Sequence, residues 1–204
     1  LPFLKESLGN TKLKDIDAFG VAYGPGLVGS LIVGVETAKA LALIFDKPLV
    51  PINHLVGHVY ANWLDRGDDF PVFPAIALIV SGGHTDLLFI RSHGSFKWLG
   101  GTLDDAAGES FDKVARILNL SYPGGPEIEM LSKHADKENY YFNFPSPMIN
   151  SDNFDFSFSG LKTSVLNGSQ KAEKLDAPQV AFEFQDSVVK VLVKKTIAAA
   201  KKFK

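Results

Sequence analysis

The chain has 204 residues, with 21 Lys and Arg against 23 Asp and Glu, so its formal charge is −2 and it holds no polybasic tail, although a local basic patch is still allowed. At 46% hydrophobic and 22% charged it is composed like an ordinary globular protein, long enough for one large core or two modest ones. The absence of Cys excludes disulfides, a thiol nucleophile and Cys-ligated metals, so any metal must rest on His, Asp or Glu.

The chain opens on Leu1-Pro2-Phe3-Leu4-Lys5, which is neither a signal nor a transit peptide, and no unbroken run of about 18 apolar residues follows. The expectation is a cytoplasmic protein with no membrane partner, mitochondrial if the source is a eukaryote. Leu1 to Leu8 reads as the last turn of a helix stopped by Gly9 and Asn10. With no initiator Met at one end and no cap after Ser187 to Lys204 at the other, a fragment is expected.

Ile16 to Tyr23 is a short apolar run ending in Gly24-Pro25-Gly26, and Leu27 to Phe45 has helical periodicity up to Asp46-Lys47-Pro48. Leu49 to Ile52 is a second strand, and Asn53 is placed to cap a helix through His54, His58 and Trp63. That alternation predicts an α/β layer fold. Ala75 to Val80, Asp86 to Ile90 and Phe96 to Leu99 read as antiparallel hairpins, the first closed by Ser81-Gly82-Gly83-His84-Thr85. Asp105 is expected to cap a helix carrying Phe111, Val114, Ala115 and Leu118, and Pro126 to start another over Glu127 to His134.

Asp136 to Asp155 reads as a long polar and aromatic loop, with a short edge hairpin through Phe154, Phe156 and Phe158. A helix is expected from Ser159 or Gly160 to Leu166, broken by Asn167-Gly168, and Asp176 with Pro178 opens a long final helix. Its six Lys (190, 194, 195, 201, 202 and 204) read as a solvated face. The composition shift near 136 predicts two lobes, 1–135 and 136–204.

His54 and His58 stand at i and i+4, one turn apart on one helix face, the spacing that two ligands of one divalent ion need. Leu55 occupies the slot where a zinc peptidase carries its water-activating Glu. In Ser81-Gly82-Gly83-His84-Thr85 the glycines let backbone amides face an anion or carbonyl oxygen, and the extra Ser, His and Thr exceed what a turn requires. Gly24-Pro25-Gly26 and Gly124-Gly125 suffice as helix-entry turns, and solvent exposure is the default explanation for Asp112 and Glu129.

Six blocks in order carry a resemblance over nearly the whole chain: Tyr23 to Leu31, Asn53 to His58, Ile79 to Thr85, Asp104 to Lys113, Tyr122 to Glu129, and Phe156 to Thr163. Together they resemble the family of tRNA adenosine threonylcarbamoyltransferases, once known as O-sialoglycoprotein endopeptidases. The resemblance implies an actin-like ATPase fold of two ribonuclease-H-like lobes, with mixed sheets flanked by helices. It implies that His54 and His58 bind one divalent iron or zinc. It assigns Ile79, Val80, Ser81, Gly82 and Gly83 to the substrate, and Asp112, Gly125 and Glu129 to the nucleoside of an adenylate.

The sequence departs from the family pattern at both ends, lacking the first strand pair with its phosphate loop and the C-terminal glycine-rich loop, Asn and metal-binding Asp. The implied reaction moves threonylcarbamoyl from threonylcarbamoyl-adenylate to the exocyclic amine of the adenosine 3′ of a tRNA anticodon. The actin-like fold also leaves room for ATP with Mg2+. The implied partners are tRNA, a TsaB-like scaffold paralogue and a TsaE-like ATPase. Two other readings stand beside it: a catalytically silent actin-like scaffold subunit, and a metallopeptidase.

Overall fold

The computed structural model describes residues 2–65, 71–171 and 176–203, and the chain divides into two compact units, Leu1–Phe70 and Pro71–Lys204. In the first unit, helix α1 (Pro2–Leu8) and a 3-10 turn (Leu13–Asp15) lead into strand β1 (Phe19–Gly24), helix α2 (Val28–Phe45), strand β2 (Leu49–Asn53) and helix α3 (His54–Tyr60). β1 and β2 pair in parallel, Phe19 opposite Leu49 and Gly24 opposite Asn53. Parallel neighbours need a crossover, which α2 supplies, so the predicted β-α-β unit forms. α2 ends where Asp46 takes the left-handed conformation (φ 49°) and donates its N–H to the Ala42 carbonyl, a conformation that Asp tolerates better than most residues.

α2 is long and apolar enough to cross a membrane by length and composition alone, a test that core helices also pass. Glu36 and Lys39, paired at 2.7 Å, lie within it, and most of its residues are exposed or half-buried. Asn53 ends β2 and caps α3 as expected, its Oδ1 accepting the N–H groups of Leu55 (3.0 Å) and Val56 (3.2 Å).

The second unit begins with an antiparallel meander, β3 (Ala75–Val80), β4 (Thr85–Ser92) and β5 (Ser95–Gly101), in the order β3-β4-β5. Four helices follow: α4 (Ala107–Ile117), α5 (Gly124–Ser132), α6 (Ser159–Lys171) and α7 (Ala177–Lys202). The core joins Leu87 of β4 to Val114, Ile128, Leu161 and Phe184 of the helices and to Phe158 just ahead of α6, all fully buried. α7 turns Val180, Phe184, Val188, Val191, Lys195 and Ala199 inward at spacings of three and four, which is helical periodicity. Asp176 caps it as predicted, accepting the Gln179 N–H at 3.2 Å.

Four local expectations are corrected. Asp105 does not cap α4; its carboxylate pairs with Lys113, and the Ala107 N–H goes instead to the hydroxyl of Thr85 at 2.8 Å. α5 begins at Gly124, ahead of Pro126, because Asp112 accepts the Gly124 N–H at 2.8 Å and so starts the helix from outside. Phe156 forms no hairpin with its neighbours but a parallel bridge to Thr102, donating its N–H to the Gly101 carbonyl at 2.9 Å. α6 runs through Asn167-Gly168, where a Cβ on Gly168 would lie 3.4 Å from the rings of Phe142 and Phe144, so that glycine serves close packing.

The composition shift at 136 lies inside the second compact unit, because the loop it opens is fastened to α7. Glu183, 2% exposed, accepts the N–H groups of Tyr141 (2.6 Å), Phe142 (2.9 Å) and Asn143 (2.7 Å). Lys195 is also not part of a solvated face: 3% exposed, it donates to Ser151 Oγ at 2.8 Å and to the Asn153 carbonyl at 3.0 Å. Burial pushes its ammonium pKa down, against the opposing pull of Asp155.

Glu183→Ala leaves three backbone amides without their acceptor, each worth about 1 to 3 kcal/mol when buried and unpaired. The expected loss is about 3 kcal/mol or more, read as a fall in the urea midpoint at unchanged slope.

Candidate functional site

β3 and β4 close at Val80 opposite Thr85, and the four residues between them form a tight turn. The Ser81 N–H donates to the His84 carbonyl at 2.9 Å, while Ser81 Oγ accepts the N–H groups of Gly83 (3.3 Å) and His84 (3.0 Å). Gly82 N–H has no hydrogen-bond acceptor among the described residues, and Ser81 to Gly83 face solvent. Of the strand residues predicted with them, Ile79 is buried and Val80 is 45% exposed. Ile79 therefore anchors the strand end while Val80 is partly open to solvent.

The turn rests on the start of α4. Thr85, fully buried, takes the Ala107 N–H, and the Ser81 carbonyl takes the Gly108 N–H at 3.1 Å. One helical turn beyond Gly108 stands Asp112, which is half-buried and holds the first amide of α5. Gly124 has to be glycine here, since a Cβ would sit 2.7 Å from Ala115 Cβ and 2.8 Å from the Asp112 Cα. Gly125 has open space where a side chain would stand, and Glu129 follows one turn later, exposed, with its carboxylate 3.5 Å from Lys133. The turn, Asp112, Gly125 and Glu129 thus follow one connected path along α4 and α5.

His54 and His58 stand on α3 of the first unit, both exposed, with Nε2 atoms 3.1 Å apart and rings meeting edge to face. An ion bonded to both nitrogens at zinc distances of about 2.0 to 2.1 Å would subtend an angle of roughly 100°, within the range for adjacent ligands. The pair fits two coordination positions of one divalent ion. No cluster of three or more His, Cys, Asp or Glu that could hold a metal occurs among the described residues.

A feature not visible in the sequence lies between β5 and α4. Asp104 accepts the hydroxyls of Ser157 (2.6 Å) and Ser159 (2.7 Å) and the N–H groups of Phe158 (2.8 Å) and Ser159 (3.2 Å). It thereby caps α6 from more than fifty residues away. Burial pushes the Asp104 pKa up, but these four donors outweigh it and hold the carboxyl at about 2.

Fold and site together define a mixed α/β protein with two facing histidines on one unit and an open glycine turn, buttressed by a helix start, on the other. The family model TsaD, tRNA N6-adenosine threonylcarbamoyltransferase, matches residues 1–204, and the chain belongs to that family. It is 51% identical over 198 residues to the tRNA N6-adenosine threonylcarbamoyltransferase of Staphylococcus saprophyticus, covering 95% of this chain and 56% of the relative. Similar matches at 52% identity are the proteins of the same name from Thermosipho africanus, covering 95% of this chain and 58% of the relative, and Thermosipho melanesiensis, covering 97% and 60%. The chain therefore spans 56% to 60% of the length of these curated relatives.

Because the folded pKa of Asp104 is depressed, its contribution to stability is complete above the unfolded value of about 4 and is lost as pH falls through about 2. Asp104→Asn is expected to lower the melting temperature at neutral pH and to decline less steeply than the parent between pH 4 and pH 2, as read by circular dichroism.

Proposed function

We propose that the chain carries acyl-transfer machinery for tRNA. In this reading a threonylcarbamoyl group passes from its adenylate to the exocyclic amine of the adenosine 3′ of the anticodon. A C–N bond forms at the carbamoyl carbon, the C–O bond to the phosphate breaks, AMP leaves with the bonding electrons, and the amine nitrogen gives up one proton to solvent. The reading rests on family membership and, above all, on the Ser81 to Gly83 turn, whose Gly82 N–H is directed to solvent and linked through α4 to Asp112 and Gly125.

An exocyclic amine is a weak nucleophile, so orientation and stabilisation of charge on the carbonyl oxygen dominate the task. The Gly82 amide supplies a donor for that oxygen without Cβ obstruction. Asp112 keeps one carboxylate oxygen on the Gly124 amide and offers the other, with Glu129, to ribose hydroxyls, while the open side of Gly125 admits a ring. His54 and His58 would hold a divalent iron or zinc ion, which would supply Lewis-acid chemistry.

The actin-like, ribonuclease-H-like architecture belongs to the same proposal, supported by the β-α-β unit of 19–53 and the antiparallel meander of 75–101 that feeds a helical layer. ATP with Mg2+, a TsaB-like scaffold subunit and a TsaE-like ATPase are proposed partners on the strength of the family. For tRNA contact, α7 offers Lys194, Lys201 and Lys202 as exposed cations, whereas Lys195 belongs to the interior. The retained histidine pair and Ser-Gly-Gly-His turn favour an enzyme over a silent scaffold. Leu55, standing beside the pair where a base would be needed, weighs against a peptidase.

His54→Ala with His58→Ala is expected to remove most bound iron or zinc, measured by elemental analysis after loading and gel filtration; stoichiometric metal in the double variant contradicts the assignment. Loss of one charged acceptor typically costs about 1.5 to 3 kcal/mol. Asp112→Ala should therefore weaken binding of a non-reactive threonylcarbamoyl-adenylate analogue by about tenfold or more in calorimetry.

A further inference from the structure

We infer that Thr85 and Gly108 are positioning residues for the acyl group: they key the start of α4 under the Ser81-Gly82 peptide and so fix where the Gly82 N–H points. The inference rests on the reading of the turn as the acyl-holding element, and extends it to two residues that do not touch substrate.

The turn by itself leaves one peptide plane unheld. Its internal hydrogen bonds, from Ser81 N–H to the His84 carbonyl and from the Gly83 and His84 amides to Ser81 Oγ, tie residues 81, 83 and 84 to one another. None of them restrains the Ser81-Gly82 peptide plane, whose N–H is the outward donor. That plane is held through its other end: the Ser81 carbonyl accepts the Gly108 N–H at 3.1 Å. A carbonyl and the following N–H belong to one rigid unit, so fixing the oxygen aims the hydrogen the opposite way.

α4 can hold that carbonyl only because two further conditions are met. Its first amide, Ala107 N–H, is taken at 2.8 Å by the hydroxyl of Thr85, a side chain with no exposed surface, which sets the helix start against β4. The approach is then so close that a Cβ on Gly108 would stand 2.6 Å from the Ser81 carbonyl oxygen and 2.8 Å from both the N and the Cα of Gly82. These are backbone atoms, which cannot swing aside as the tip of a long side chain would. A methyl group at 108 therefore has to push the Ser81-Gly82 peptide out of its place. Gly108 is required by the donor's position, and Thr85 by the helix that reaches it.

The test compares Thr85→Val, Thr85→Ser, Gly108→Ala and Asp104→Asn with the parent chain, each measured calorimetrically with a non-reactive threonylcarbamoyl-adenylate analogue well below its own melting temperature. Thr85→Val keeps the shape and loses the acceptor, and is expected to weaken binding at least tenfold, as is Gly108→Ala. Thr85→Ser restores the acceptor and should bind within about twofold of the parent. Asp104→Asn loosens the fold at the start of α6 and should keep parent affinity, separating positioning from general destabilisation. Parent affinity in both Thr85→Val and Gly108→Ala, with Asp112→Ala weakened, overturns the positioning role alone. Parent affinity in Asp112→Ala as well removes the underlying reading and this inference with it.

Discussion

The bond from the Ala107 amide to the buried hydroxyl of Thr85 joins the two halves of the second unit's architecture. Thr85 is the first residue of β4, directly after the glycine turn, and Ala107 is the first residue of α4. One hydroxyl therefore serves as strand residue, helix cap and anchor of the turn. From it follow the register of α4 against the sheet, the placement of Gly108 under Ser81, and one turn later the reach of Asp112 to α5. An N-cap of this kind is worth about 1 kcal/mol. Its structural leverage is larger than its energy, because each later contact along α4 is measured from it.

The same device recurs. Asp104 caps α6 across more than fifty residues, Asp112 starts α5 across twelve, and Glu183 gathers three loop amides some forty residues away. Lys195 does the converse with its ammonium on Ser151 and the Asn153 carbonyl. Polar side chains thus terminate helices and fasten loops over long sequence distances, while the apolar faces around Leu87, Val114 and Phe184 supply the burial. Such polar groups are tolerated inside because each is matched by donors or acceptors; no buried side-chain N or O lacks a partner among the described residues.

This explains which parts of the fold could be read from the residues. Periodicity reports which face of an element is buried, so the strand-helix-strand of 19–53 and the meander of 75–101 were legible. So were caps lying next to the helix they serve, Asn53 and Asp176. The caps of α4, α5 and α6 were not, because the capping side chain lies 12 to more than 50 residues from the amide it takes. A local scan prefers Asp105 and Pro126, which are adjacent but otherwise employed. Lys195 misleads for a similar reason: within a lysine-rich run its chemistry looks like its neighbours', and only the 151–153 loop reveals its burial. At the candidate site, the i, i+4 histidines and the glycine turn were visible as chemistry, whereas the roles of Thr85 and Gly108, which give the turn its direction, depend on a contact between segments about twenty residues apart.

In the proposed reaction the Gly82 amide, held outward by α4, meets the acyl oxygen of an adenylate. The most direct measurement is amide-resolved NMR of the 15N-labelled chain titrated with a threonylcarbamoyl-adenylate analogue. The Gly82 resonance is expected to move and its hydrogen exchange to slow, together with that of Gly125, while amides of the 136–155 loop stay unchanged. An analogue that binds but leaves Gly82 exchange and chemical shift untouched would contradict it.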